Sequence, residues 1–152
     1  MISSIWASNY PTRFTNLNIL QRKALRIILG FSRTCRWHSS DLFSKTGVLT
    51  IAQINLCQTN EFMYKYTNNM LPQGFPNQFQ QISSINPYNI HSAANYRPDF
   101  CCTNVRQFCI RYSGPSTWND TPNSIRSITT LHGFIKNFRK FLQGFNLTPE
   151  AH

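Results

Sequence analysis

The chain has 152 residues, enough for one domain with a real core and too few for two comfortable ones. Fifteen Lys and Arg stand against five Asp and Glu, a formal net charge of +10, while apolar residues make up 41% of the chain and include 12 Phe, 6 Tyr and 3 Trp. That apolar and aromatic content excludes wholesale disorder, and no apolar run reaches the ~20 residues that a membrane span needs.

Residues 1–12 read as a short irregular entry carrying Trp6 and Tyr10 and closed by Pro11. A first helix is expected over 15–29. At about 100° per residue, Leu17, Leu20, Ala24, Ile27, Ile28 and Phe31 share one arc that asks for a core, while Arg22, Lys23 and Arg26 fall opposite as a cationic patch. Gly30 suits the C-cap, and Arg33 and Arg36 follow it. A helical turn is expected over 40–46, ended by Gly47.

Thr50 and Gln53 have the spacing of a capping box, so a second long helix is expected from there to about Asn68. Ile51, Ile54, Leu56, Cys57, Phe62, Met63 and Tyr64 occupy most of its circumference, which suits a central, covered helix. Pro72, Gly74 and Pro76 stop it. Residues 72–104 show no periodicity and read as a long surface loop. Val105 to Tyr112 alternates in part and reads as a short strand, with Gly114-Pro115 and Pro122 bracketing a turn that holds Trp118. The last helix, over 130–143, places Leu131, Phe134, Ile135, Phe138, Phe141, Leu142 and Phe145 on an arc of ~120°. Lys136, Arg139 and Lys140 lie on its other side, and 146–152 reads as a disordered tail. The fold expected is mainly α, one domain over 1–145. It is a small helical cluster with a long irregular loop and at most a short β-hairpin around 103–112.

Catalytic patterns are missing. The five carboxylates, Asp41, Glu61, Asp99, Asp120 and Glu150, lie twenty or more residues apart, whereas two-metal polymerases and nucleases converge several on one site. Neither glycine-rich phosphate loop spacing occurs. Cys35 and His38 have ligand-like spacing that Cys101, Cys102, Cys109 or His91 could complete for zinc, but no second pair of the usual spacing follows. Buried thiols and a hydrogen-bonded histidine account for the same residues. Five cysteines, an odd number, and a polar N-terminus suggest reduced thiols in an intracellular chain, cytoplasmic or nuclear. No cofactor and no small-molecule substrate are indicated. Basic patches on a small domain point first to RNA or DNA and less to anionic membrane, against the plainer reading of a solvated basic surface.

Several passages occur in an order that resembles a known family. They are Trp6-Ala7-Ser8-Asn9-Tyr10-Pro11, then Ile19 to Ile28, then His38-Ser39-Ser40-Asp41-Leu42-Phe43, then Leu49-Thr50-Ile51. Phe62-Met63-Tyr64-Lys65-Tyr66 leads to Leu71-Pro72, and Ile90-His91-Ser92, Arg97, Cys101 and Thr103 to Phe108 follow. Gly114-Pro115-x-x-Trp118-Asn119-x-x-Pro122 and Phe134 to Leu142 complete the series. Together they resemble the C-terminal region of the reverse transcriptase reading frame of LINE-type, jockey-like non-LTR retrotransposons, over roughly 5–142. The resemblance implies a non-catalytic segment beyond the polymerase and endonuclease domains, one that helps to hold template RNA or target DNA beside the rest of the enzyme. Asp120 and Thr121 depart from the Ser-Leu pair usual in that family. Arg22, Lys23, Arg26, Arg33 and Arg36 would then contact phosphates, with Lys136, Arg139 and Lys140 as a second patch. Two alternatives stay open: a protein-interaction or structural module, and a transposon-derived reading frame without selected function.

Overall fold

A computed structural model describes residues 11–31, 39–72, 78–85, 94–100, 103, 107 and 109–145, and among the described residues the helix-forming signals are realised as seven helices. They are α1 (Pro11–Ile28), α2 (Ser39–Thr46), α3 (Ile51–Thr67), α4 (Ile82–Ile85), α5 (Ile110–Asn119), α6 (Asn123–Arg126) and α7 (Leu131–Phe145). The fold is mainly α, and among the described residues the only β pairing is an isolated antiparallel bridge between Gln81 and Tyr96.

The punctuation signals act as their chemistry dictates. Thr50 Oγ1 accepts from the Gln53 backbone N–H while the Gln53 side chain accepts from the Thr50 N–H, so the capping box of α3 is complete. At the other end Asn69 takes φ +53°, with Met70 N–H bonded to the Lys65 carbonyl and Asn69 N–H to that of Tyr66. This is a Schellman stop with asparagine in the glycine position. Gly30, φ +67°, ends α1 in the same way. Pro11 stands at the first position of α1, where a missing N–H costs nothing.

The central helix is α3, packed by α5 and α7. Its Met63 and Tyr64 are fully buried with Trp118 of α5 and Phe134, Phe138 and Leu142 of α7. Tyr64 stacks on Phe134 at 4.6 Å between centroids and donates its hydroxyl to the Ile128 carbonyl at 2.8 Å. The amphipathic arc expected of α7 is therefore the one it packs from Leu131 to Leu142, the Phe145 side chain lying outside the described residues. Three of the five buried residues of α3 are polar: Gln53, Thr59 and Asn60. Asn60 donates to the Leu56 carbonyl and accepts from Thr121, whose hydroxyl also lies 2.9 Å from the Thr117 carbonyl, so this buried polar cluster is satisfied.

Three expectations are corrected. The strand read within 103–112 does not form among the described residues, because Ile110 opens α5 and its partial alternation yields to helical packing. Gly114-Pro115 does not make a turn and lies inside α5 with Trp118. Bare Gly114 lets Met63 approach, since a Cβ there would sit 2.9 Å from its Sδ, and Pro115 is fully buried, so tertiary contact overrides two helix-breaking residues.

The third concerns α1. Most of its expected core arc is exposed, with Leu17 at 49%, Leu20 at 59%, Ile27 at 79% and Ile28 at 74% of full accessibility, while Phe31 at its end is half-buried against the cluster of Leu25, Leu42 and Phe43. The packed seam is instead Phe14, Asn18, Gln21 and Leu25, continued by Leu29, centred roughly 110° around the axis. Leu25 is buried with Leu42 and Phe43 of α2 in a small second cluster, and Gln21 donates to the Leu49 carbonyl at 2.8 Å. Apolar residues cover more of α1 than α2 and α3 can bury, so one edge is packed and the other left bare.

Within 72–104 most described residues are exposed, and two positions anchor the segment. Phe79 and Tyr96 are buried in the main core, and both backbone groups of Phe79 pair with the Tyr66 hydroxyl, its N–H donating at 3.2 Å and its carbonyl accepting at 3.3 Å.

Candidate nucleic-acid interface

The cationic residues singled out on α1 and α7 differ in their surroundings. Lys23 and Arg26 are exposed, as are Lys136, Arg139 and Lys140. Lys65 pairs with Glu61 at 2.6 Å and Arg111 with Asp99 at 3.2 Å, and neither ion pair involves these five. Arg22 is half-buried and donates from Nε to the Asn18 carbonyl at 3.2 Å, so part of its hydrogen-bonding capacity serves its own helix. Arg139 lies beside Cys57, where its charge lowers the thiol pKa against the effect of burial. Arg33 and Arg36 lie outside the described residues, as do the zinc candidates Cys35, His38, Cys101 and Cys102. Among the described residues, no three His, Cys, Asp or Glu side chains group as a metal centre. Cys109 is exposed and free.

The two helix faces are coupled through the short connection between α2 and α3. Gln21 of α1 donates to the Leu49 carbonyl, while Gln143 of α7 donates to the Gly47 carbonyl at 2.6 Å. One segment, 47–50, thus anchors both basic helices. These polar staples hold α1 where its apolar contact is small.

Other cations serve structure. Arg126 donates to the side-chain oxygens of Asn95 and Asn123, linking α6 to the segment before Tyr96, and burial lowers its pKa. The Asn119 side chain makes a fork with Tyr96, its Nδ2 donating to the carbonyl at 2.8 Å and its Oδ1 accepting from the N–H at 3.0 Å. Asn119 therefore pairs with extended backbone as a neighbouring strand would. The motif Gly114-Pro115-x-x-Trp118-Asn119-x-x-Pro122 is accordingly a packing device: close approach, buried ring, core indole, backbone fork and the N-cap of α6.

Sequence reasoning missed a polar cleft of about 290 Å³ between the segments that Phe79 and Tyr96 anchor. Gln78, Gln80, Arg97, Asp99, Phe100 and Arg111 line it, and Phe100 is 85% exposed. No apolar alternation runs through Phe79, because Asn77 and Gln81 are both polar, so periodicity gives no signal for the cleft.

No helix among the described residues is long and apolar enough to cross a membrane. Comparison with family models, with curated proteins and with solved structures gives no match to this chain.

Proposed function

We propose that this chain binds nucleic acid through the phosphate backbone, without catalysis of its own, as the C-terminal portion of a non-LTR retrotransposon reverse transcriptase would. The supporting observation is the set Lys23, Arg26, Lys136, Arg139 and Lys140, exposed on two helices and unpaired with any described carboxylate. Cations left without carboxylate partners are available to neutralise phosphates, and each neutralised phosphate releases counterions. The test is a salt titration of duplex binding by fluorescence anisotropy, comparing wild type with Lys136→Glu/Lys140→Glu. Affinity should fall in the variant, and the slope of log K against log salt should flatten by about 0.9 for each duplex phosphate that is no longer neutralised. Unchanged affinity and slope in the variant overturn the assignment of α7.

A second reading, an interaction module, is favoured by one observation: the bare arc of Leu17, Leu20, Ile27 and Ile28. Contiguous exposed apolar side chains on a helix mark a surface that another protein covers. The two readings use different side chains of α1 and are separable by mutation.

A further inference from the structure

An isolated antiparallel bridge between Gln81 and Tyr96 lies beside the core, with Arg97 N–H donating to the Gln80 carbonyl and Ile82 N–H to that of Asn95, both at 2.9 Å. Around this bridge Phe79 and Tyr96 are buried in the core, and Gln78, Gln80 and Arg97 are exposed. The floor is fixed from beneath by the Tyr66 hydroxyl on Phe79 and the Asn119 fork on Tyr96. The outer face of this bridge is one wall of the 290 Å³ cleft, which Asp99, Phe100 and Arg111 complete.

Each lining group has a plain chemical use. Two guanidinium groups face one carboxylate, so the cleft carries a net positive charge and selects an anion. Asp99 meets Arg111 through Nε at 3.2 Å with both side chains more than half exposed, a weak, screened pair that a phosphate can displace or bridge. Gln78 and Gln80 offer donors and acceptors suited to the edges of a base. Phe100, a large aromatic ring almost wholly in water, offers a stacking face beside them. The volume lies at the foot of the range of about 300–1,000 Å³ for ligand pockets, which fits one planar ring with its phosphate and no extended ligand.

We propose that this cleft receives one unpaired nucleotide of a single-stranded nucleic acid, its base stacked on Phe100 and its phosphate held by Arg97 and Arg111. The site rests on the nucleic-acid reading above and adds to it a preference for single strands, because a base inside a duplex has no free face to stack.

The test measures anisotropy with an unstructured single strand of about 12 nucleotides and with a duplex of that length, using the full chain. Phe100→Ala should weaken single-strand binding about 5- to 150-fold, the range for the loss of one base stack, and leave duplex binding unchanged. Phe100→Trp should retain single-strand binding. At 85% exposure the Phe100 ring supports little packing, and an unchanged melting curve for both variants confirms an intact fold. Equal single-strand affinity in wild type and Phe100→Ala, or equal losses for both ligands, overturns the cleft. If Lys136→Glu/Lys140→Glu still weakens both ligands in that case, the backbone reading survives alone. No binding of either ligand by wild type overturns both.

Discussion

Gln53 serves two helices with one amide: its Oε1 accepts from the Thr50 N–H at 2.9 Å, and its Nε2 donates to the Leu142 carbonyl at 3.0 Å. The start of α3 and the end of α7 are thereby joined by a residue that is itself buried. Glutamate and glutamine are equivalent in a capping box, but only glutamine can donate to Leu142.

Gln53→Glu should therefore destabilise the fold although it preserves the cap, because it sets a buried carboxylate against a carbonyl oxygen. Loss of one buried donor costs about 1–3 kcal/mol, and a charge costs more. Gln53→Ala loses both bonds. Urea denaturation followed by far-UV circular dichroism should rank wild type above Gln53→Ala, with Gln53→Glu no better than alanine. Wild-type stability in Gln53→Glu would show that the Leu142 bond is immaterial.

Asn119→Asp changes one atom group and removes the donor to the Tyr96 carbonyl, leaving two oxygens facing each other. The expected cost is about 1–3 kcal/mol. The sharper expectation is local. Amide hydrogen exchange should speed up at Ile82 and Arg97, whose N–H groups bond across the bridge, ahead of any change in α3. Uniform loss of protection across all helices would show that the fork has no separate role in holding this segment.

Gly114→Ala sets two effects against each other. A helical alanine gains about 1 kcal/mol over glycine, while a Cβ placed 2.9 Å from the Met63 Sδ forces a fully buried side chain to move, costing about 1–3 kcal/mol. The net sign is a destabilisation of about 0–2 kcal/mol. Coupling is the cleaner readout. In a Met63→Ala background the clash is gone, and Gly114→Ala should become neutral or stabilising in chemical denaturation.

The sequence reveals those parts of the fold in which one local signal decides the outcome. Thr50 with Gln53, Gly30, Gly47 and the 120° arc of α7 each fix a helix end or face through near neighbours, and the structure follows them. Where several faces compete, periodicity is ambiguous. On α1 the arc and the seam are both apolar in part, and the choice falls to Leu42, Phe43 and Leu49, about which α1 itself says nothing. Gly114-Pro115 reads as a breaker because the partner that needs a bare backbone there, Met63, is fifty-one residues away. The cleft is hidden for a similar reason: its walls come from three stretches, and its floor from Tyr66 and Asn119 elsewhere. Exposed cations on α1 and α7, by contrast, can be read directly from helical geometry.

Burial raises the pKa of the Cys57 thiol from its ordinary 9.0, and the Arg139 guanidinium beside it partly opposes the rise. The stability tied to the neutral thiol is fully present below the unfolded pKa and is lost as pH rises through the higher folded one. Arg139→Ala removes the opposing charge, so the Cys57 pKa should rise further. Site-resolved iodoacetamide labelling across pH should show Cys57 reacting more slowly than exposed Cys109, and more slowly still in the variant. Faster labelling in Arg139→Ala would mean that the arginine chiefly shields the sulfur.

The two sides of α1 make opposite predictions. Leu20→Ser/Ile27→Ser/Ile28→Ser alters side chains that are 59%, 79% and 74% exposed, so folding stability should shift little, within about 0.5 kcal/mol per site. If the arc is a contact surface, wild type should gain mass with concentration in light scattering, and the triple variant should remain at monomer mass. Leu25→Ala does the reverse. It empties a buried position against Leu42 and Phe43, at a cost of about 2–5 kcal/mol. Because α1 is held mainly by that cluster and the Gln21 bond, hydrogen-exchange protection should drop over Pro11–Ile28 first. Monodisperse wild-type monomer at every concentration would remove self-association as the use of the arc, leaving a different protein as its partner. The basic side of α1 is untouched by either set of changes, so duplex affinity in the triple-serine variant should equal that of wild type, and a loss there would show that the two faces act together.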